Sequence, residues 1–180
     1  AAPPVIASHT GMSLYRSLLL PLLFRMDAEA VHDLAMGTLE RFGSLIQRFA
    51  PAPDVRLERT VFGIRFPNPV GLAAGFDKNA VALRAWEGLG FGFAEVGTIT
   101  ARAQPGNPKP RIFRLPEQRA LINRLGFNNE GADAGASRLR RQIDGGRWQR
   151  IPIGINSGKP SQWRVGAPTG AYVPSLERAL

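Results

Sequence analysis

One stretch constrains this chain more than any other: Asn68-Pro-Val-Gly-Leu-Ala-Ala-Gly-Phe-Asp-Lys-Asn79. The apolar run from Val70 to Ala74 predicts a short buried strand that breaks at Gly75, where glycine tolerates a tight turn. The turn that follows is expected to expose one acid and one lysine, Asp77 and Lys78. Small residues at a strand end let a flat ligand lie against the backbone. A lysine there offers a cation to an anionic ligand at the carboxyl end of a strand, where parallel α/β folds put their sites. Taken alone, Gly-Phe-Asp-Lys is also a plain β-turn with a solvated lysine, and the rest of the chain has to decide.

Glu95-Val-Gly-Thr-Ile-Thr100 is a second strand that ends in Gly-Thr, and a rigid basic loop follows it from Arg102 to Arg111. Further on come Ile122-Asn-Arg-Leu-Gly-Phe-Asn-Asn129 and Ile153-Gly-Ile-Asn-Ser-Gly-Lys159. In this order the segments resemble the first half of a class 2, quinone-dependent dihydroorotate dehydrogenase, over residues 12 to 160. The resemblance implies an α/β fold of the (β/α)8 TIM-barrel family with only its first half present. It also implies a two-helix, membrane-associated section ahead of the barrel. The implied activity is oxidation of dihydroorotate to orotate in pyrimidine biosynthesis. FMN takes the hydride from C6, a base takes the C5 proton, and a membrane quinone reoxidises the flavin.

Such a site holds two flat rings face to face and reads the edge of one with hydrogen bonds. Asparagine suits an imide edge, because its amide both donates and accepts. By the resemblance, Asn123 binds substrate, with Arg124, Leu125, Gly126 and Phe127 completing that contact loop. Lys78 meets the substrate carboxylate and the flavin. Ala74 and Gly75 are backbone contacts to FMN, Thr98 is a flavin contact, and Asn156 reaches the isoalloxazine. Gly126 is expected to allow close approach and Phe127 to wall the substrate from water. Read from the residues alone, Thr98 is also a plain strand-end hydroxyl, and Asn128-Asn129 a turn or helix cap.

Ahead of the strands, Leu14, Leu18, Leu19, Leu22 and Leu23 share a broad apolar face of a short helix from Ser13, which Pro21 should kink or thin. A second helix follows Asp27, a good N-cap, with Val31, Leu34, Ala35, Leu39, Phe42 and Ile46 at helical spacing. Pro51-Ala-Pro53 reads as a hinge, giving a division into 1–11 (an unstructured extension), 12–50 (helical) and 55–180 (partial barrel). The pair is open to three readings: a packed cap, a signal peptide with Ala28-Glu-Ala30 as its cleavage site, or an interfacial anchor with its leucines in a leaflet. The resemblance selects the anchor, with His32 and Arg114 lining a quinone tunnel. It places the protein peripherally on the cytoplasmic face of a bacterial inner membrane, or on the mitochondrial inner membrane in a eukaryote.

Composition narrows the partners. No apolar run reaches the roughly 18 residues of a membrane span. Cysteine is absent and the two histidines, His9 and His32, lack zinc spacing, so no metal site is expected. The net charge is +9; lysine stands only at 78, 109 and 159, so arginine supplies the other 20 of 23 basic residues. An anionic membrane surface suits that balance. The densest cluster, Arg138, Arg140, Arg141, Arg147 and Arg150, surrounds an expected helix and has only Trp148 as an aromatic companion. A nucleic-acid partner is therefore not expected.

A closed (β/α)8 barrel takes about 250 residues, and this chain has 180. Barrel strands are expected near 70–74, 93–98 and 151–156, a shorter piece near 120–123, and a hairpin from Val61 to Phe66. The serine base of the family pattern, its second lysine and its FMN phosphate site would lie beyond Leu180. No catalytic base is expected within the chain. Residues 160–170 read as a loop that departs from the pattern, and likeness returns from Tyr172 to Leu180. An inactive fragment that keeps membrane-surface binding is the competing expectation.

Overall fold

The computed structural model describes residues 14–144 and 150–158. The extension, the start at Met12, Arg147, Trp148, Lys159 and the segment from 160 onward lie outside the described residues.

The chain enters as a π-helical turn, Tyr15–Leu19, that runs into the α-helix α1, Leu20–Phe24. Pro21 has no N–H to give and its ring crowds the preceding turn, which accounts for the widened turn just ahead of it. No residue of either piece is buried. Helix α2, Ala28–Arg48, begins where Asp27 Oδ1 accepts the Ala30 N–H at 2.9 Å. Glu29 in its first turn and Arg48 in its last complement the helix dipole.

Two small hairpins flank the central sheet. Strands β1, Arg59–Val61, and β2, Ile64–Phe66, pair through a two-residue turn in which Phe62 and Gly63 both have positive φ, the backbone a type I′ hairpin requires. Strand β3, Gly71–Leu72, pairs in parallel with β4, Phe93–Ile99, and β4 pairs in parallel with β7, Ile153–Ser157. Between β3 and β4 lies helix α3, Leu83–Gly88. After β4 the chain forms the antiparallel hairpin of β5, Ile112–Leu115, and β6, Ala120–Asn123, then helix α4, Ala132–Asp144, before returning as β7.

The three expected barrel strands therefore pair in the expected order, with two corrections. The first is only two residues long, because the chain leaves the ladder after Leu72. It stays beside β4 through Gly75 N–H to Gly97 O at 2.7 Å and Gly97 N–H to Asp77 O at 3.0 Å. The piece at 120–123 is not in the parallel sheet, since its partner is β5.

The core lies between the sheet and helices α2 and α3. Trp86, Ala85 and Ala82 pack against Met36, Leu39 and Ile46 of α2 and against Ala94 of β4. Leu83 and Val96 meet Leu139 of α4. Gly88 permits the crossing of α2 and α3: a Cβ there would lie 2.5 Å from the Ile46 carbonyl carbon.

Candidate functional site

A cavity of about 460 Å³ opens where three segments meet. Glu29, His32 and Met36 of α2 form one wall, the turn Gly75–Asn79 the floor, and Arg114, Leu121 and Asn123 of the β5–β6 hairpin the other wall.

The floor is held by Asp77, and here the sequence expectation fails. Asp77 is not displayed by the turn; it is fully buried. Its carboxylate accepts the Val81 N–H at 2.9 Å, the Ala82 N–H at 3.0 Å and the Trp86 indole N–H at 3.0 Å. One carboxylate thus ties the turn to the two residues ahead of α3 and to Trp86 within it, with Lys78 beside it in the cavity.

The helix wall is held by a buried ion pair. Arg111 donates to both carboxylate oxygens of Glu29, the shortest contact being Nη2 to Oε1 at 2.6 Å, and Lys109 Nζ lies 3.3 Å from Oε1. The remaining Arg111 donor binds Pro105 O and Asn107 O. These arginine hydrogen bonds hold Glu29 below the usual carboxylate range. The hairpin is tied to the helices as well, since Arg114 donates to Met26 O at 2.6 Å and lies over the Phe24 ring.

Inside the cavity the polar groups are few. Burial pushes the Lys78 ammonium pKa down, against the attraction of Glu29. Burial also lowers His32, and the Lys78 charge adds to the effect. The His32 ring stands edge-on to Phe76 at 4.9 Å. Asn123 Oδ1 accepts the Leu125 N–H at 3.0 Å, so Nδ2 is the donor that Asn123 offers. Asn128 also lines the cavity, and its Oδ1 is buried without a hydrogen-bond partner.

Gly75, Lys78, Asn123, Leu125, His32 and Arg114 therefore share one cavity. Thr98 and Asn156 meet each other on the sheet instead: Thr98 Oγ1 donates to Asn156 Oδ1 at 2.7 Å, and Asn156 Nδ2 donates to Glu95 at 3.0 Å. Ala74, Arg124, Gly126 and Phe127 do not line the cavity. Arg124 lies over the Phe113 ring, Gly126 packs on Asn107, and Phe127 is exposed rather than closing the site from water. Among the described residues no cluster of three or more histidines or acids could hold a metal ion.

A sequence model of the dihydroorotate dehydrogenase family matches residues 56–166. The chain belongs to that family. It is 54% identical over 172 residues to the dihydroorotate dehydrogenase (quinone) of Gloeobacter violaceus, covering 93% of this chain and 47% of the relative. The corresponding protein of Thermus thermophilus is 52% identical over 160 residues, covering 86% of this chain and 46% of the relative. The chain thus spans about half the length of the curated relatives it matches. Among solved structures, ligand-free DHODH from Eimeria tenella superposes with a TM-score of 0.66 at 39% identity, over 84% of this chain and 42% of that one. DHODH from Eimeria tenella in complex with ferulenol gives 0.61 at 42% identity, over 77% and 37%. The parallel strands and alternating helices are those of a dihydroorotate dehydrogenase barrel fragment.

Sequence reasoning missed Glu29, Arg111, Asn128 and Glu95. Glu29 reads as a first-turn acid and Arg111 as one more cation in a basic loop; nothing in a single sequence links positions 82 residues apart. Glu95 has a signal, since a carboxylate inside an apolar strand needs a partner.

Proposed function

We propose that this chain is the amino-terminal part of a quinone-dependent dihydroorotate dehydrogenase, which oxidises dihydroorotate to orotate with FMN and a membrane quinone as acceptor. The observation that carries this reading is the single cavity that joins Lys78 and Asn123 to His32 and Arg114. Residues assigned to substrate, Lys78 in the floor and Asn123 on the hairpin, thus share one cavity with residues assigned to quinone, His32 on α2 and Arg114 on the hairpin.

The strand end suits a flat cofactor. A Cβ at Gly75 would meet nothing within 4 Å, so the space above that backbone is open. Ala74 and Gly75 would carry the ring, with Lys78, Thr98 and Asn156 at its edges. FMN, when bound there, supplies the hydride acceptor.

Everything else falls to side chains. The Lys78 ammonium pairs with the substrate carboxylate, and its half-buried setting strengthens that attraction over the value in water. Asn123 Nδ2 donates to a carbonyl on the imide edge, and Leu125 beneath it keeps water from the ring. Dihydroorotate gives up a hydride from C6 and a proton from C5. The proton passes to a base, a serine in the family pattern, which no segment of this chain matches. His32, kept neutral near pH 7 by burial and by Lys78, and Arg114, fixed by Met26 O, give a quinone oxygen its polar contacts.

The membrane seat rests on the first helices. Leu14, Leu18 and Leu22 are 66%, 66% and 57% exposed, an apolar row that a leaflet would cover. No helix among the described residues is long and apolar enough to cross a membrane. Peripheral attachment to an anionic cytoplasmic leaflet fits both this and the net charge of +9.

The test completes the chain with a carboxy-terminal half, from its own gene or from the Thermus thermophilus relative, and assays dihydroorotate oxidation with a quinone acceptor. Lys78→Ala and Asn123→Ala should each lower kcat/KM by about 10- to 100-fold, the loss of one charge-assisted or buried hydrogen bond. Unchanged kcat/KM in both variants refutes the residue assignments. Absence of turnover in the completed parent refutes the activity.

A further inference from the structure

Glu95 is an acid inside an otherwise apolar stretch of β4, and the proposed chemistry gives it no task. Its neighbours Ala94 and Val96 are fully buried, in clusters with Met36 of α2, Leu83 and Trp86 of α3 and Leu139 of α4. Side chains alternate along a strand, so Glu95 stands on the opposite face of the sheet, away from those helices. A carboxylate taken even partly out of water costs stability unless a donor meets it. In the register Glu95 is opposite Gly154 of β7, and Glu95 Cγ would lie 3.5 Å from a Cβ at that glycine. The acid therefore lies over Gly154 and reaches the next residue on that face, where Asn156 Nδ2 donates to Glu95 Oε1 at 3.0 Å.

This bond decides which way round the Asn156 amide sits. A carboxylate oxygen accepts, so Nδ2 and not Oδ1 must meet it. Thr98 Oγ1, 2.7 Å from Asn156 Oδ1, belongs to a hydroxyl that can donate or accept, and so would tolerate either orientation. Glu95 removes the choice. With one Nδ2 proton on Glu95 and Oδ1 on Thr98, the second Nδ2 proton is the donor left for a ligand among the described residues. The Asn156 backbone is held closely as well, since a Cβ at Gly97 would lie 2.3 Å from Asn156 O. Gly97 O in turn accepts the Gly75 N–H at 2.7 Å. The chain of Glu95, Asn156 and Thr98 thus adjoins the strand end at which the flavin ring is proposed to lie.

We infer that Glu95 is a positioning residue for the flavin: it sets the Asn156 amide so that Asn156 meets the ring edge as a hydrogen-bond donor. The inference rests on the proposed FMN site and adds a residue to it.

The probe is FMN, added to the completed protein stripped of flavin. The readouts are a binding isotherm, the visible spectrum of the bound flavin and the urea midpoint. Glu95→Met keeps the reach of the side chain and removes the acceptor. It should weaken FMN binding about tenfold, the loss of one oriented hydrogen bond, and shift the flavin band while the midpoint stays near the parent's. Glu95→Gln keeps an acceptor oxygen and should restore both the affinity and the band. A merely structural acid would instead lower the midpoint and leave the band in place. Without any substitution, one Asn156 Nδ2 proton of the flavin-free protein should be protected from solvent exchange by NMR; free exchange of both protons overturns the inference. Equal weakening by Glu95→Met and Glu95→Gln overturns it too. A parent that takes up no FMN refutes the flavin reading and the inference together, whereas a parent and a Glu95→Met variant that bind FMN equally refute the inference alone.

Discussion

Replacing Glu29 with alanine should destabilise the protein far more than a first-turn surface acid would. Glu29 and Arg111 are each 6% exposed, and Arg111 gives three of its hydrogen bonds to this carboxylate. Removing Glu29 leaves a buried guanidinium with only Pro105 O and Asn107 O as partners. Breaking one side of a buried ion pair costs about 3–5 kcal/mol, a large share of the roughly 5–15 kcal/mol that holds a domain together. An exposed first-turn acid would contribute about 0.3–1 kcal/mol through the helix dipole. The assay is urea denaturation of the completed protein, followed by tryptophan fluorescence, since Trp86 sits in the core that α2 covers. A Glu29→Met, Arg111→Met double variant should recover much of the loss, because two apolar side chains leave neither a buried charge nor an unpaired side-chain amide behind. The pH dependence has a definite sign. The folded-state pKa of Glu29 is lowered, so its contribution is present above the unfolded value of about 4.3 and is lost as pH falls through the folded one. A Glu29→Ala loss below about 1 kcal/mol, or a double variant no better than the single, refutes the reasoning.

Asp77→Asn should cost about 1–3 kcal/mol for each donor left unpaired, because Asn offers one oxygen where Val81, Ala82 and Trp86 now share two; a urea midpoint equal to the parent's would sink this account of the turn. His32 has a lowered folded-state pKa, so the unfolded chain takes up the proton first. Its contribution is then intact above about pH 6.5 and falls as pH drops below that value; an NMR titration that places His32 above 6.5 would contradict the burial and Lys78 argument.

Much of the fold was legible because it is local. The helical spacing after Asp27, the strand at 93–99 and the hairpin ending at Phe66 each follow from periodicity and from residues within a few positions. What could not be read is what depends on partners distant in the chain. Asp77 reads as exposed because its nearest sequence neighbours are a turn; it is buried because the Trp86 indole returns to it nine residues later. The 120–123 segment has the same apolar pattern in a barrel as in a hairpin, and only its pairing with Ile112–Leu115 decides. The motif residues divide for the same reason. Lys78, Asn123, His32 and Arg114 converge, whereas Arg124, Gly126 and Phe127, adjacent to Asn123 in sequence, turn away where Gly126 and Phe127 take positive φ.

The parallel sheet alone does not make this site. β3 and β4 supply the strand ends, but the walls come from a helix and a hairpin that make no ladder bonds to that sheet. Each wall is fastened by its own cross-link: Glu29 to Arg111 for α2, Arg114 to Met26 O for the hairpin, and Asp77 to α3 for the floor. Among the described residues, by contrast, Lys78 makes no side-chain hydrogen bond, and Asn123 makes a single one, to Leu125 N. Residues that hold the cavity and residues that face into it are therefore different sets. Substitutions in the first set should appear in denaturation midpoints, and substitutions in the second in binding and turnover with the midpoint little changed. A stability defect at Lys78 as large as that at Asp77 would mean that the lysine belongs to the scaffold and not to the ligand.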